Sequence, residues 1–78
     1  LNNFTTKFNL ILNAEGLTPT KFSRIAGITQ VAASDYKINR STPSASNLFK
    51  IIQAFPCYTC YIFDLDPKNL PNQIIFKD

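Results

Sequence analysis

Two short signals, Thr18-Pro19 and Gly27-Ile28-Thr29, bracket a stretch too short to stand alone, and they limit what this chain can fold into more than any other feature. Thr18 offers an N-cap hydroxyl, and proline at the first helical position costs nothing because the N–H it lacks would have no partner there. Phe22, Ile25 and Ala26 continue an apolar face, and Gly27 stops it. A helix of about eight residues is unstable in water, so packing must hold this one. After the glycine, Thr29 caps another helix while Ile28, just before the cap, folds back on the core as a staple. In that next helix Ala33 and Tyr36 are spaced to face inward, leaving Gln30, Val31, Ser34, Asp35 and Lys37 for solvent or a partner. Small side chains at Ala32 and Ala33 let the two helices approach closely. The result is a helix, a tight glycine turn and a second helix with a polar outer face.

The flanking segments read as further helices. Phe8, Ile11 and Leu12 repeat at helical spacing, with Thr5 and Thr6 as caps and Gly16 as the end. Asn39-Arg40-Ser41-Thr42-Pro43 breaks the pattern, and Ser44 caps a helix bearing Leu48, Phe49, Ile51, Ile52, Ala54 and Phe55. Nonpolar on most sides, that helix is expected at the centre, and Phe8, Phe22, Phe49 and Phe55 are expected in the core. Beyond Pro56, residues 57–63 form a short helix, although their aromatic and β-branched content would serve a strand nearly as well. Residues 66–72 read as irregular chain, and Gln73-Ile74-Ile75-Phe76 as an apolar tail that adds a strand or packs on a second subunit.

Composition narrows the chemistry. Seventy-eight residues, 45% apolar and 17% charged, describe one compact folding unit rather than a disordered chain. With no histidine, neither a histidine-ligated metal nor a Ser-His-Asp site is available. Cys57 and Cys60 lack a second ligand pair for zinc, and a redox role would need Cys57, after Pro56, to carry a lowered pKa; packing is the expected role. Glu15, Asp35, Asp64 and Asp66 are dispersed, so no acid and base pair is indicated and no enzyme, cofactor or metal is expected. Neither a basic leader with an apolar run nor a spanning stretch of about 18 apolar residues is present, which points to the cytoplasm. Leucine at position 1 suggests a fragment or processed product. The net charge of +3 is unevenly placed: residues 1–56 hold six bases and two acids, whereas the last 22 residues sum to −1. Any anion-binding surface belongs to the first two thirds.

Leu17 to Gln30, followed by Tyr36 and by Arg40-Ser41-Thr42-Pro43-Ser44 before Leu48 and Ile51, resembles the Cro/C1-type helix-turn-helix family of phage and bacterial repressors. The resemblance covers about residues 7–65. It implies an all-α, lambda-repressor-like bundle of five helices with a central helix-turn-helix over 1–65, and 66–78 as a short irregular or extended tail for dimerisation or packing. It implies sequence-specific binding of double-stranded DNA by a homodimer acting as a transcriptional repressor or regulator. Carried over by position, Gln30, Val31, Ser34 and Asp35 fall on the base-reading face, and Lys37 and Arg40 lie near the DNA backbone. Pro19 departs from the family, many of whose members have there a glutamine that touches phosphate and buttresses the recognition helix. Ala33 replaces a larger aliphatic residue, and Lys37-Ile38-Asn39 stands where glutamate followed by asparagine or glycine is common.

The chemistry suits that assignment. In the major groove a glutamine pairs bidentately with adenine, serine serves several bases, an aspartate accepts from the cytosine amino group and an apolar side chain meets the thymine methyl. Phosphate contacts fall to Thr18, Lys21, Arg24, Thr29, Lys37 and Arg40, with Lys50 a further candidate; the threonines stand at helix starts whose amides attract phosphate. Asp35 is the awkward member, since it repels phosphate: it selects a base, pairs with a neighbouring cation, or marks a surface not built for DNA. The alternative function is a protein-interaction module on the same scaffold, such as a partner-binding antitoxin; a small thiol enzyme is the weakest reading.

Overall fold

The computed structural model describes residues 4–66, 68 and 72–76. Its elements are α1 (Phe4–Glu15), α2 (Pro19–Ala26), α3 (Gln30–Lys37), α4 (Ala45–Ala54), a 3-10 turn (Pro56–Tyr58) and α5 (Thr59–Phe63), with no strand among the described residues. The fold is all-α and matches the expected five-helix, lambda-repressor-like arrangement.

Helix α1 starts earlier than its threonines suggested. Phe4, Phe8, Ile11 and Leu12 form one buried stripe, so Thr5 and Thr6 lie inside the helix instead of capping it. The expected caps of the next three helices are in place. Thr18 Oγ1 accepts from the Lys21 N–H at 3.2 Å, Thr29 Oγ1 from the Ala32 N–H at 3.0 Å and Ser44 Oγ from the Asn47 N–H at 3.2 Å.

Four of the five helices end in one way. Gly16, Gly27, Asn39 and Asp64 take left-handed backbone, with φ of 65°, 76°, 60° and 56°. Across each of them an N–H returns to a carbonyl five residues back: Leu17 to Leu12, Ile28 to Ser23, Arg40 to Asp35 and Leu65 to Cys60. This closure satisfies carbonyls that a helix end leaves without partners and turns the chain sharply. Glycine enters that conformation without penalty, and Asn and Asp are the side chains that tolerate it best.

The core is built from rings. Phe22, fully buried, meets Phe8 edge-on at 4.9 Å and stacks on Phe55 at 4.9 Å. Phe4 and Phe8 carry the series to Tyr36 on α3, at 5.6 and 5.8 Å, while Tyr58 extends it from Phe55 toward the C-terminus. Such pairs add to the area they bury and tie together helices too short to persist alone.

Two expectations for the core are corrected. Helix α4 is peripheral: of its residues only Ile51 is fully buried, and Phe49 is 64% exposed. Its apolar positions wrap most of the helix, but it packs chiefly against α2 and the 3-10 turn, which leaves Phe49 in solvent. Ile25, expected on the inner face of α2, is 54% exposed, because Phe22, Ser23 and Ala26 already fill the side that faces the core.

Residues 73–76, expected to add a strand or pack on a second subunit, form no strand; they lie along the 3-10 turn and α5 of their own chain. The Ile74 N–H donates to the Cys57 carbonyl at 2.7 Å. The Gln73 amide accepts from the Cys60 N–H and donates to the Pro56 carbonyl, both at 3.0 Å. Phe76 stacks on Tyr58 at 5.9 Å and meets Tyr61 edge-on at 5.1 Å. The irregular chain expected over 66–72 lies partly outside the described residues.

Candidate nucleic-acid interface

Helices α2 and α3 pack more closely on each other than any other pair, which the small residues at Ala32 and Ala33 permit; Ala33 is wholly buried. Tyr36, three residues on, points into the core and leaves the opposite face of α3 open. Gln30 and Ser34 are exposed, Val31 is 70% exposed, and Asp35 is half-buried.

Both ends of α3 are held by other helices. At its start the Gln30 Nε2 donates to Thr20 Oγ1 at 2.8 Å. The buttress that a glutamine at position 19 would give is therefore supplied by the next residue of α2. At the far end Thr5 Oγ1 donates to the Tyr36 carbonyl at 2.8 Å, and Asn9 Nδ2 donates to the Lys37 carbonyl at 3.1 Å. The Tyr36 hydroxyl accepts from Asn47 Nδ2 at 2.8 Å, linking α3 to α4. Nothing in the sequence marks Asn9, Thr20 or Asn47 for this work, and Thr5 reads there only as a helix cap. Their partners lie 10 to 31 residues away, so no local pattern marks them.

The cationic candidates are all exposed: Lys21 and Arg24 three apart on α2, Lys37 at the end of α3, Arg40 in the loop beyond it and Lys50 on α4. Thr18 and Thr29 each accept one backbone N–H as caps, so each hydroxyl keeps its own O–H to donate, a geometry suited to a phosphate oxygen. Between residues 17 and 50 there are five bases and one acid. That acid, Asp35, has its carboxylate 4.0 Å from the Arg40 guanidinium. Of the roles open to it, pairing with a neighbouring cation is the one the geometry provides. The other acids nearby face elsewhere: Glu15 accepts from the Tyr58 hydroxyl at 2.6 Å, and Asp64 meets the Lys7 ammonium at 2.6 Å. Lys7 also donates to the Tyr61 carbonyl at 2.7 Å and lies over the Tyr61 ring, so it ties α1 to α5.

Neither cysteine is in a disulfide; Cys60 is buried and Cys57 half-buried. Burial, reinforced by the Glu15 carboxylate, pushes the Cys57 thiol up, opposite to the shift an attacking thiolate needs. The described residues contain no group of side chains arranged to hold a metal ion, and no helix among them is long and apolar enough to cross a membrane.

The family model described as helix-turn-helix matches residues 10–62, a span that includes every candidate contact residue. No match was found among curated proteins or solved structures. With two capped helices joined through Gly27, an open polar face on the second and exposed cations around it, the chain belongs to the Cro/C1-type helix-turn-helix family and is a DNA-binding domain of that kind.

Proposed function

We propose that α3 enters the major groove of a duplex operator and that the protein acts as a transcriptional repressor or regulator, as a homodimer on a palindromic site. Gln30, Val31, Ser34 and Asp35 contact base edges. Asp35 approaches the DNA with its charge offset by Arg40. Thr18, Lys21, Arg24, Thr29, Lys37 and Arg40 hold the flanking phosphates, setting register and supplying the salt-dependent part of the affinity. The observation that carries this reading is the Gln30–Thr20 bond. It leaves the Gln30 carbonyl oxygen and one N–H free, the acceptor and donor that adenine requires.

Selection from a random duplex library, followed by titration of variants, tests it. Gln30→Ala alters sequence preference, whereas Arg40→Ala weakens binding to every duplex and lowers the slope of log affinity against log salt by about one. Equal losses across sequences for Gln30→Ala would remove its base-reading role. Exposed Phe49 and Ile25 favour the second reading, a protein-interaction module. Duplex binding that stays absent at low salt in a folded protein, with a protein partner recovered, would establish that alternative.

A further inference from the structure

One feature of α3 is unusual for a surface reading bases by hydrogen bonds. Val31 is 70% exposed, and Ile38, directly after the helix, is 59% exposed. They are seven residues apart, about 20° short of two full turns of an ideal helix, and Ile38 is the C-cap that follows α3, so the two stand near one side of it, about 10.5 Å apart along its axis. That distance is close to three base steps of roughly 3.4 Å.

The polar groups near this stripe are partly committed. Gln30 gives one N–H to Thr20, and Asp35 faces Arg40. Most of both apolar side chains stands in solvent, and an aliphatic group left in water gains from burial.

The charge around the stripe indicates what covers it. Lys37 precedes Ile38, Arg40 follows two residues later, and both are exposed. A polyanion with apolar groups at its surface is complementary to this pattern. In the major groove the apolar group on a base edge is the C5-methyl of thymine.

We propose that Val31 and Ile38 form a methyl-reading stripe that recognises two pyrimidine C5-methyl groups about three base steps apart in the operator. This deepens the DNA-binding reading above and rests on it. The ligand class is a duplex bearing thymine at both positions. Because 5-methylcytosine carries the same group at the same carbon, it substitutes in part for thymine at either place.

The test uses the best duplex from the library selection and replaces each thymine in turn by deoxyuridine, which removes the methyl and keeps the base pair. Two positions about three steps apart each lose roughly four-fold in affinity for the unaltered protein, the value expected for one buried methyl group. Val31→Ala abolishes the penalty at one position and Ile38→Ala at the other; both residues are exposed, so circular dichroism stays unchanged. At those positions 5-methylcytosine binds more tightly than cytosine. If the duplex binds but uracil is harmless throughout, or if its penalty persists in both variants, the stripe has no such role while the DNA reading stands. If no duplex binds even at low salt, the DNA reading fails and this inference with it.

Discussion

Replacing Thr20 by valine keeps the shape and β-branching of the side chain and removes the hydroxyl to which Gln30 donates at 2.8 Å. In the free protein this bond is exposed, so water replaces it and stability changes by no more than about 0.5 kcal/mol. On the operator water is excluded. One Gln30 N–H then faces no acceptor, and the side chain must be ordered without its anchor, a loss of about 1 to 1.5 kcal/mol, or roughly 5- to 12-fold in Kd. The assay is titration of the selected duplex and a scrambled one at fixed salt. Thr20→Val weakens the first by that factor and leaves the second unchanged. Introduced into Gln30→Ala, it has no further effect. Equal weakening on both duplexes, or an undiminished loss in the Gln30→Ala background, would refute the reasoning, since Thr20 would then act on affinity without passing through Gln30.

The remaining predictions concern the scaffold. Gly27→Ala meets no atom within 4 Å of the new Cβ but forces alanine to a φ of +76°; it costs about 1 kcal/mol, seen as a fall of roughly 4–8 °C in Tm. Phe22→Ala opens a space between Phe8 and Phe55 and costs about 3–5 kcal/mol, a large part of the roughly 4–12 kcal/mol expected for a chain of this length, whereas Phe49→Ser stays within about 0.5 kcal/mol; urea midpoints separate the two. Burial, and then the hydrogen bond to Glu15, push the Tyr58 hydroxyl above the ordinary tyrosine pKa of about 10. The fold thus favours the protonated phenol. That stability is fully present below about pH 10 and falls as pH rises past it, so urea midpoints between pH 8 and 11 drop more steeply for the unaltered protein than for Tyr58→Phe.

What could be read from the sequence was local. Thr18, Thr29 and Ser44 announce helix starts because a cap depends on residues within one turn, and Gly16 and Gly27 announce ends because glycine enters left-handed backbone freely. Asn39 and Asp64 do the same work less visibly, since both residue types are common in loops of every kind. Ile25 and Phe49 stand in solvent against expectation because spacing says which residues share a face but not whether a neighbour covers it. Phe4 is hidden from a local reading because the threonines beside it imitate a helix cap, whereas they stand inside α1. The outward face of α3 was legible from its pattern. Its supports, Thr5, Asn9, Thr20 and Asn47, depend on the packing of separate helices, and so does the approach of Arg40 to Asp35.

On the DNA reading proposed above, a recognition helix tied at its first residue to α2 and at its last two carbonyls to α1 docks with part of its motion already surrendered. The entropic penalty of docking is reduced to that extent, and the reading surface adapts less to a poor site. Adjustment then falls to the duplex. Operators whose central steps deform easily are favoured over stiff ones with identical contacted bases, a selectivity exerted at base pairs that no side chain touches.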